Sequence, residues 1–284
     1  MVKMTQIVYV NGEFVPASEA KISVFDRGFL FADGIYEVSP ILRGKIVDNA
    51  PHLKRLERSA KELALPLPMS LADIEAIQHQ LVEKNNVQEG ALYLQVTRGA
   101  ADRDFAFPKE PKPSLVMFIQ EKALEKADNA VKGISVISSP DIRWGRRDIK
   151  TTQLLAASMA KQAAIEAGAQ DTWMVQEGFV TEGSSNNAYI VTEDDVIVTR
   201  HIGNDILSGI TRKVVLQLAE ENGYKIEERP FSLEEAYAAK EAFVTSATTF
   251  VWPVKEIDGH KIGGGQPGPL ARRLRELYVE AALG

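Results

Sequence analysis

Apolar positions follow two periods along the chain. Near the amino end they alternate: IVYVNGEFV sets two apolar runs about Asn11-Gly12, the pattern of a hairpin. GIYEVSPILRGKIVD predicts a second hairpin turning near Gly44. The spacing then becomes helical. After Asn49-Ala50-Pro51, Leu53, Leu56, Ala60 and Leu63 recur on one face, with the proline tolerated in the first turn. SLADIEAIQHQLVEKN gives a second helix over 70–85, with Ser70 in the capping place. ALYLQVTRG and SLVMFIQ read as strands, completing an α+β unit that ends near Gln120.

The stretch EKALEKADNAVKG is charged, lacks a strong apolar stripe and closes on Gly133, so it reads as a connector. The expected organisation is therefore an N-terminal domain over 1–120, a connector over 121–133 and a second domain over 134–284. In the second domain ISVISS and DTWMVQE are strands and AYIVTEDDVIVT is a hairpin. A helix over 211–222 carries Val214, Val215 and Leu218 and stops at Gly223. EAFVTSAT and FVWPVKEIDG are strands, and PLARRLRELYVEAAL is a terminal helix. GGGQPG satisfies GxGxxG, but a dinucleotide fingerprint needs a βαβ unit with an acid further on, so it reads as a turn. RWGRRDIKTTQLLAASMAKQAAIEAG places Lys150 between an arginine-rich extended segment and a long helical pattern, as a residue that ends a strand and opens a helix.

Composition narrows the function. Hydrophobic residues make up 45% and charged residues 25%, the balance of a globular chain with no run long enough for a membrane span. A net charge of -6 gives no electrostatic reason to expect nucleic acid or an anionic membrane as partner. The absence of cysteine excludes disulfides, thiolate metal sites and cysteine nucleophiles, and fits a cytoplasmic location. MVKMTQIVYVNGEFV turns polar too early for a signal peptide. His52, His79, His201 and His260 show no metal-ligand spacing, so no metal is expected.

Three stretches carry candidate chemistry. Lys150 is either a solvated surface charge or a pocket amine. In FVTEGSSNNAYIV, Glu182 follows an apolar strand where the chain turns sharply; alone, EGSS is also an ordinary loop. In DILSGITRK, Gly209 precedes a first helical turn, so the N–H groups of Ile210 and Thr211 form an anion site or simply a glycine turn. Arg55, on the edge of its helix's apolar stripe, reads as a solvent arginine. Together, a lysine, a carboxylate, an arginine and an open helix start are the parts that hold pyridoxal phosphate.

Read in order, VFDRGFLFADGIYE, HLKRLERSA, TRGAADRDFAFP, RWGRRDIK, VTEGSSNNAYIV, LSGITR and FVTSATTFVWPV resemble the blocks of the fold type IV aminotransferases, most closely those acting on D-amino acids. The resemblance covers nearly the whole chain. It implies an α+β protein with a small α/β N-terminal domain, a larger C-terminal pseudo-barrel domain, pyridoxal 5'-phosphate between them, and a homodimer. By the same match Lys150 forms the Schiff base, and Glu182 partners the pyridine nitrogen. Arg55, Ile210 and Thr211 hold the phosphate, Gly209 opens that helix, and Leu207 packs on the ring. Tyr36 stands beside the substrate.

Two departures bear on specificity. In the family an arginine and a histidine of the TRG block trap the substrate carboxylate from the partner subunit. This chain keeps Arg103 and puts Phe105 at the histidine's place, which predicts a more apolar pocket. The alternative for Arg103 is a loop arginine paired with Asp102 or Asp104. In VTSAT, Ala247 replaces a phosphate-binding threonine, leaving its N–H, with Ser246 and Thr248 as substitute donors. The expected reaction is ping-pong transamination of D-amino acids, D-alanine with 2-oxoglutarate. The alternatives are an R-selective amine transaminase, a branched-chain aminotransferase, an aminodeoxychorismate lyase, and a noncatalytic cofactor-binding relative.

Overall fold

Hairpins supply most of the first sheet. The computed structural model describes residues 5–284, and the chain divides into two units: one runs to Ala123 and adds Ile149–Gln153, the other comprises Leu124–Asp148 and Leu154–Gly284. In the first unit, β1 (Ile7–Val10) and β2 (Glu13–Pro16) turn at Asn11 and Gly12, both with positive φ as a tight hairpin requires. A one-turn helix α1 (Arg27–Phe31) leads into the long strand β3 (Gly34–Leu42), which folds back through Arg43-Gly44 onto β4 (Lys45–Ile46). Next come α2 (Asn49–Glu62), α3 (Leu71–Asn85), β5 (Glu89–Thr97) and β6 (Ser114–Glu121). The six strands lie in the order β2-β1-β6-β5-β3-β4.

Both helices form for the reasons their sequences give. Ser70 accepts the Asp73 N–H at 3.1 Å and caps α3, while Leu53, Leu56 and Ala60 bury the inner face of α2. Residues 149–152 add a short extended piece beside the start of β3. Tyr36 N donates to Lys150 O at 3.0 Å, Thr152 N donates to Gly34 O at 3.0 Å, and Ile35 bridges Thr151.

The second unit begins with the short helix α4 (Asp128–Lys132) and β7 (Ile134–Pro140), followed by α5 (Leu155–Glu166). After α5 come β8 (Asp171–Gln176), β9 (Phe179–Gly183), β10 (Asn187–Val191) and β11 (Val196–Thr199). The rest is α6 (Ile210–Glu221), β12 (Lys225–Glu228), α7 (Leu233–Tyr237), β13 (Glu241–Ser246), β14 (Phe250–Ile257), β15 (His260–Lys261) and α8 (Pro269–Leu283). Eight strands run β12-β11-β10-β13-β14-β7-β8-β9, with β15 on β14. The sheet curls until β9 lies against β10, forming a half-barrel around Trp173, Ile190, Val198, Phe231 and Val244.

Several local expectations are corrected. Lys150 does not open a helix: α5 begins at Leu155, because the backbone of residues 150–152 is engaged by β3. On α6 the buried positions are Thr211, Arg212, Val215, Leu216 and Ala219, while Val214 and Leu218 are half-buried. Helix α7 is an addition to the expected elements. Its signal is the capping box Ser232-Leu-Glu-Glu235, in which Ser232 Oγ accepts the Glu235 N–H and the Glu235 carboxylate accepts the Ser232 N–H. GGGQPG is a turn, with Gly263, Gly264 and Gly265 all at positive φ.

Candidate active site

In the first unit the site grows from the junction of residues 149–152 with β3 and α2. The backbone bonds that fix Lys150 leave its side chain half-buried, and Nζ lies 4.1 Å from the centre of the Tyr36 ring. Among the described residues no carboxylate pairs with Nζ. This amine is therefore held beside an aromatic face rather than used as a salt-bridge partner. Tyr36 belongs to an aromatic ladder across the sheet: its ring stacks on Tyr93 at 5.5 Å, and Tyr93 on Phe118 at 4.7 Å.

Arg55 is not a solvent arginine. Its residue is 9% exposed, and Nε and Nη2 each reach the Glu37 carboxylate at 2.8 Å. Sequence reasoning missed Glu37 and His52. His52 Nδ1 lies 2.7 Å from Glu37 Oε2, so one buried carboxylate on β3 orients both side chains from α2. Burial pushes Glu37 up, but the Arg55 guanidinium and His52 outweigh it and hold the carboxyl at about 2, below its ordinary 4.5. Burial pushes His52 down from its ordinary value, Glu37 opposing and Arg55 and Lys150 adding to it. The signal was legible in part: Glu37 alternates with Tyr36 along β3, and His52 and Arg55 are three apart on α2, hence on one face.

Arg103 and Phe105 lie on an exposed loop of the same unit. The Phe105 residue is 81% exposed, and its ring packs 5.6 Å from Phe31. Arg103 rests 5.5 Å from the Phe31 ring centre, and among the described residues it pairs with neither Asp102 nor Asp104. The loop is pinned by Arg27, whose Nη1 donates to Asp104 O at 2.5 Å and to Ala106 O at 3.3 Å.

In the second unit β9 carries Glu182 as its penultimate residue, 5% exposed. Oε1 receives Arg143 Nη1 at 2.6 Å; Oε2 receives Asn187 Nδ2 at 3.0 Å and Leu207 N at 3.2 Å. Arg143 is in turn held by Asp141. Burial pushes Glu182 above its ordinary value, and Arg143 and the Leu207 N–H oppose it. A cation placed against this carboxylate would favour its ionised form.

The segment after Leu207 delivers the start of α6. Gly209 is its N-cap, with no side chain capping the turn. Thr211 is 2% exposed, and its Oγ1 has no hydrogen-bond partner among the described residues. A helix start with free N–H groups and an unpaired buried hydroxyl suits a phosphate. Ser246 closes β13 beside Asn187, since Thr245 pairs with that residue; Ser246 Oγ and Thr249 Oγ1 are 2.9 Å apart, and Ala247 is half-buried in the turn. The turn ends at Phe250, a fully buried aromatic at φ 56, where a bulky side chain is strained. Arg275 Nη1 steadies it through Thr249 O at 2.7 Å and Val251 O at 3.2 Å. Among the described residues no group of three or more acidic, histidine or cysteine side chains could hold a metal ion.

The family model of amino-transferase class IV matches residues 34–257, and the chain belongs to that family of pyridoxal-phosphate-dependent aminotransferases. The chain is 39% identical over 280 residues to a D-alanine aminotransferase of Staphylococcus aureus strain N315, covering 96% of this chain and 98% of the relative. It is 41% identical over 279 residues to a D-alanine aminotransferase of Bacillus licheniformis, covering 97% of each. A branched-chain aminotransferase from the thermophilic archaeon Thermoproteus uzoniensis, solved with norvaline, superimposes with a TM-score of 0.85 at 27% identity, covering 98% of this chain and 95% of that one.

Proposed function

We propose that this chain is a D-amino acid transaminase that moves the amino group of D-alanine to 2-oxoglutarate. The observation that carries the assignment is 39% and 41% identity to D-alanine aminotransferases along almost the whole chain, and Lys150 and Glu182 supply the amine and the acid that the reaction needs. Pyridoxal phosphate supplies an electron-withdrawing ring and an aldehyde that carries the amino group between two half-reactions. Lys150 Nζ would tether it and serve as the base for the substrate α-proton. Glu182 would accept the hydrogen bond of a protonated ring nitrogen. Leu207 would pack on the ring. Arg55, the N–H groups of Ile210 and Thr211, the Thr211 hydroxyl and the Ser246–Ala247 turn hold the phosphate. Tyr36 faces the substrate, and Arg103 supplies a guanidinium for its carboxylate.

We infer a homodimer in the cytoplasm. Support for the dimer comes from Val24, Phe25, Phe29, Phe105 and Phe107, all exposed on two segments that Arg27 ties together. Light scattering reads the dimer directly. The cytoplasm suits a chain without cysteine.

The test is borohydride reduction with peptide mapping, followed by half-reactions across D-alanine, L-alanine and 1-phenylethylamine. A pyridoxyl label on Lys150, absent from Lys150→Ala, and a spectral shift with D-alanine in preference to L-alanine are expected. A label elsewhere overturns the site. A response to 1-phenylethylamine alone would select the R-selective amine reading, which Phe105 in place of a carboxylate donor favours.

A further inference from the structure

Asn187 opens β10, and its residue is 4% exposed. The amide nitrogen spends both protons: one goes to Glu182 Oε2 at 3.0 Å and one to Leu207 O at 2.9 Å. The Leu207 N–H returns to the same carboxylate oxygen. On its other side Asn187 Oδ1 fills the space where a side chain at residue 209 would begin, so a Cβ there would collide with the amide unless Asn187 shifts. Strand pairing accounts for none of this, because Asn187 already pairs with Thr245 through its backbone. One side chain thus joins the acid on β9 to the segment that delivers α6.

We propose that Asn187 is a positioning residue that locks the carboxylate of Glu182 and the start of α6 into one piece, presetting the contacts made at the two ends of the cofactor. The inference rests on the roles assigned above to Glu182 and α6. Groups fixed at the correct separation bind a rigid ligand without first ordering themselves. Glu182 and the helix start lie on separate elements, and the hydrogen bonds just described tie them to each other.

Aspartate is the informative substitution. It keeps the shape, yet when ionised it cannot donate and places a second negative charge beside Glu182, so the two carboxyls compete for one proton. The charged and titratable groups around it are Glu182 on β9, Arg143, Asp141 and Arg147 on the preceding segment, Tyr189 on β10 and Arg212 on α6.

The experiment measures dissociation constants of pyridoxal phosphate and of pyridoxal, which lacks the phosphate, for the cofactor-free protein. The chains compared are the unaltered one, Asn187→Ala, Asn187→Asp, Gly209→Ala and the double variant that combines Asn187→Ala with Gly209→Ala. We expect Asn187→Ala to weaken pyridoxal phosphate about 10-fold or more and to shrink its advantage over pyridoxal. Asn187→Asp should be weaker still at pH 8 and recover as the pH falls to about 5.5, when one acid regains a donor proton. Gly209→Ala, which collides with Asn187, should cost affinity alone and much less alongside Asn187→Ala. Unchanged affinities with unchanged phosphate advantage, or lower melting temperatures with no acid recovery and no coupling, overturn the proposal. If the unaltered chain carries its label on Lys150 while these results fail, only this inference falls; if Lys150 takes no label, the reading beneath it falls first.

Discussion

The buried hydroxyl of Thr211 is a small structural defect with a readable purpose. Leaving such a group unpaired costs about 1–3 kcal/mol, so a position that tolerates it is expected to recover the cost when a ligand arrives. Thr211→Val keeps the shape and removes the hydroxyl. The cofactor-free variant should melt no lower than the unaltered protein, while its dissociation constant for pyridoxal phosphate should rise about 10-fold. A fall in apo stability with unchanged cofactor affinity would show that the hydroxyl serves the fold instead. Residue types alone pointed to Lys150, Glu182 and the α6 start, because lysine, carboxylate and glycine-led helix have few joint uses. They pointed away from Arg55, since a helix-edge arginine is usually solvated and its buried acid, Glu37, comes from a distant strand.

At the scale of elements, the turn from β13 to β14 shows competing terms within one residue. Phe250 takes a left-handed backbone, which costs on the order of 1–3 kcal/mol, yet its ring is fully buried, 5.0 Å from Tyr278 and 5.4 Å from the Arg275 guanidinium. Phe250→Gly would relieve the strain and forfeit about 3–5 kcal/mol of aromatic packing, so packing wins. Urea unfolding should show a net loss of roughly 1–3 kcal/mol; a stabilised variant would mean that the backbone term dominates. Hairpins and helices with local signals were legible: Asn11-Gly12, Arg43-Gly44, Ser70 and the stripe of α2. The start of α5 was not, because long-range bonds from Gly34 and Tyr36 hold residues 150–152 extended against their local helical spacing.

For the whole molecule, acid should act on the first unit through Glu37 and His52 and on the second through Asp141, whose carboxyl, against the upward push of burial, Arg143 and Thr181 hold below its ordinary value. Glu37 is held at about 2 against an ordinary 4.5, so its contribution is complete above that ordinary value and fades as pH falls toward 2. A shift of that size corresponds to roughly 3 kcal/mol. His52, also depressed, has the same sign and begins to oppose folding as pH drops below its ordinary 6.5. Thermal unfolding followed from pH 7 to pH 3 should show stability declining throughout, and Glu37→Gln should flatten the slope below pH 4.5. An unchanged slope in that variant would assign acid sensitivity to other carboxylates.

The sequence by itself determined the family, the cofactor and the two-period alternation of elements, and it offered Lys150 and Glu182 as the residues proposed to tether and tune a pyridine ring. These follow from local spacing and from side-chain chemistry, both of which a one-dimensional chain records. Tertiary structure alone decided that Arg55 is buried against Glu37 and His52, that Asn187 joins Glu182 to the lead of α6, and that Phe250 is held in a strained turn. Each depends on groups far apart in the chain meeting in a low-dielectric interior, where an unpaired charge or donor is costly and a partner from any strand will serve.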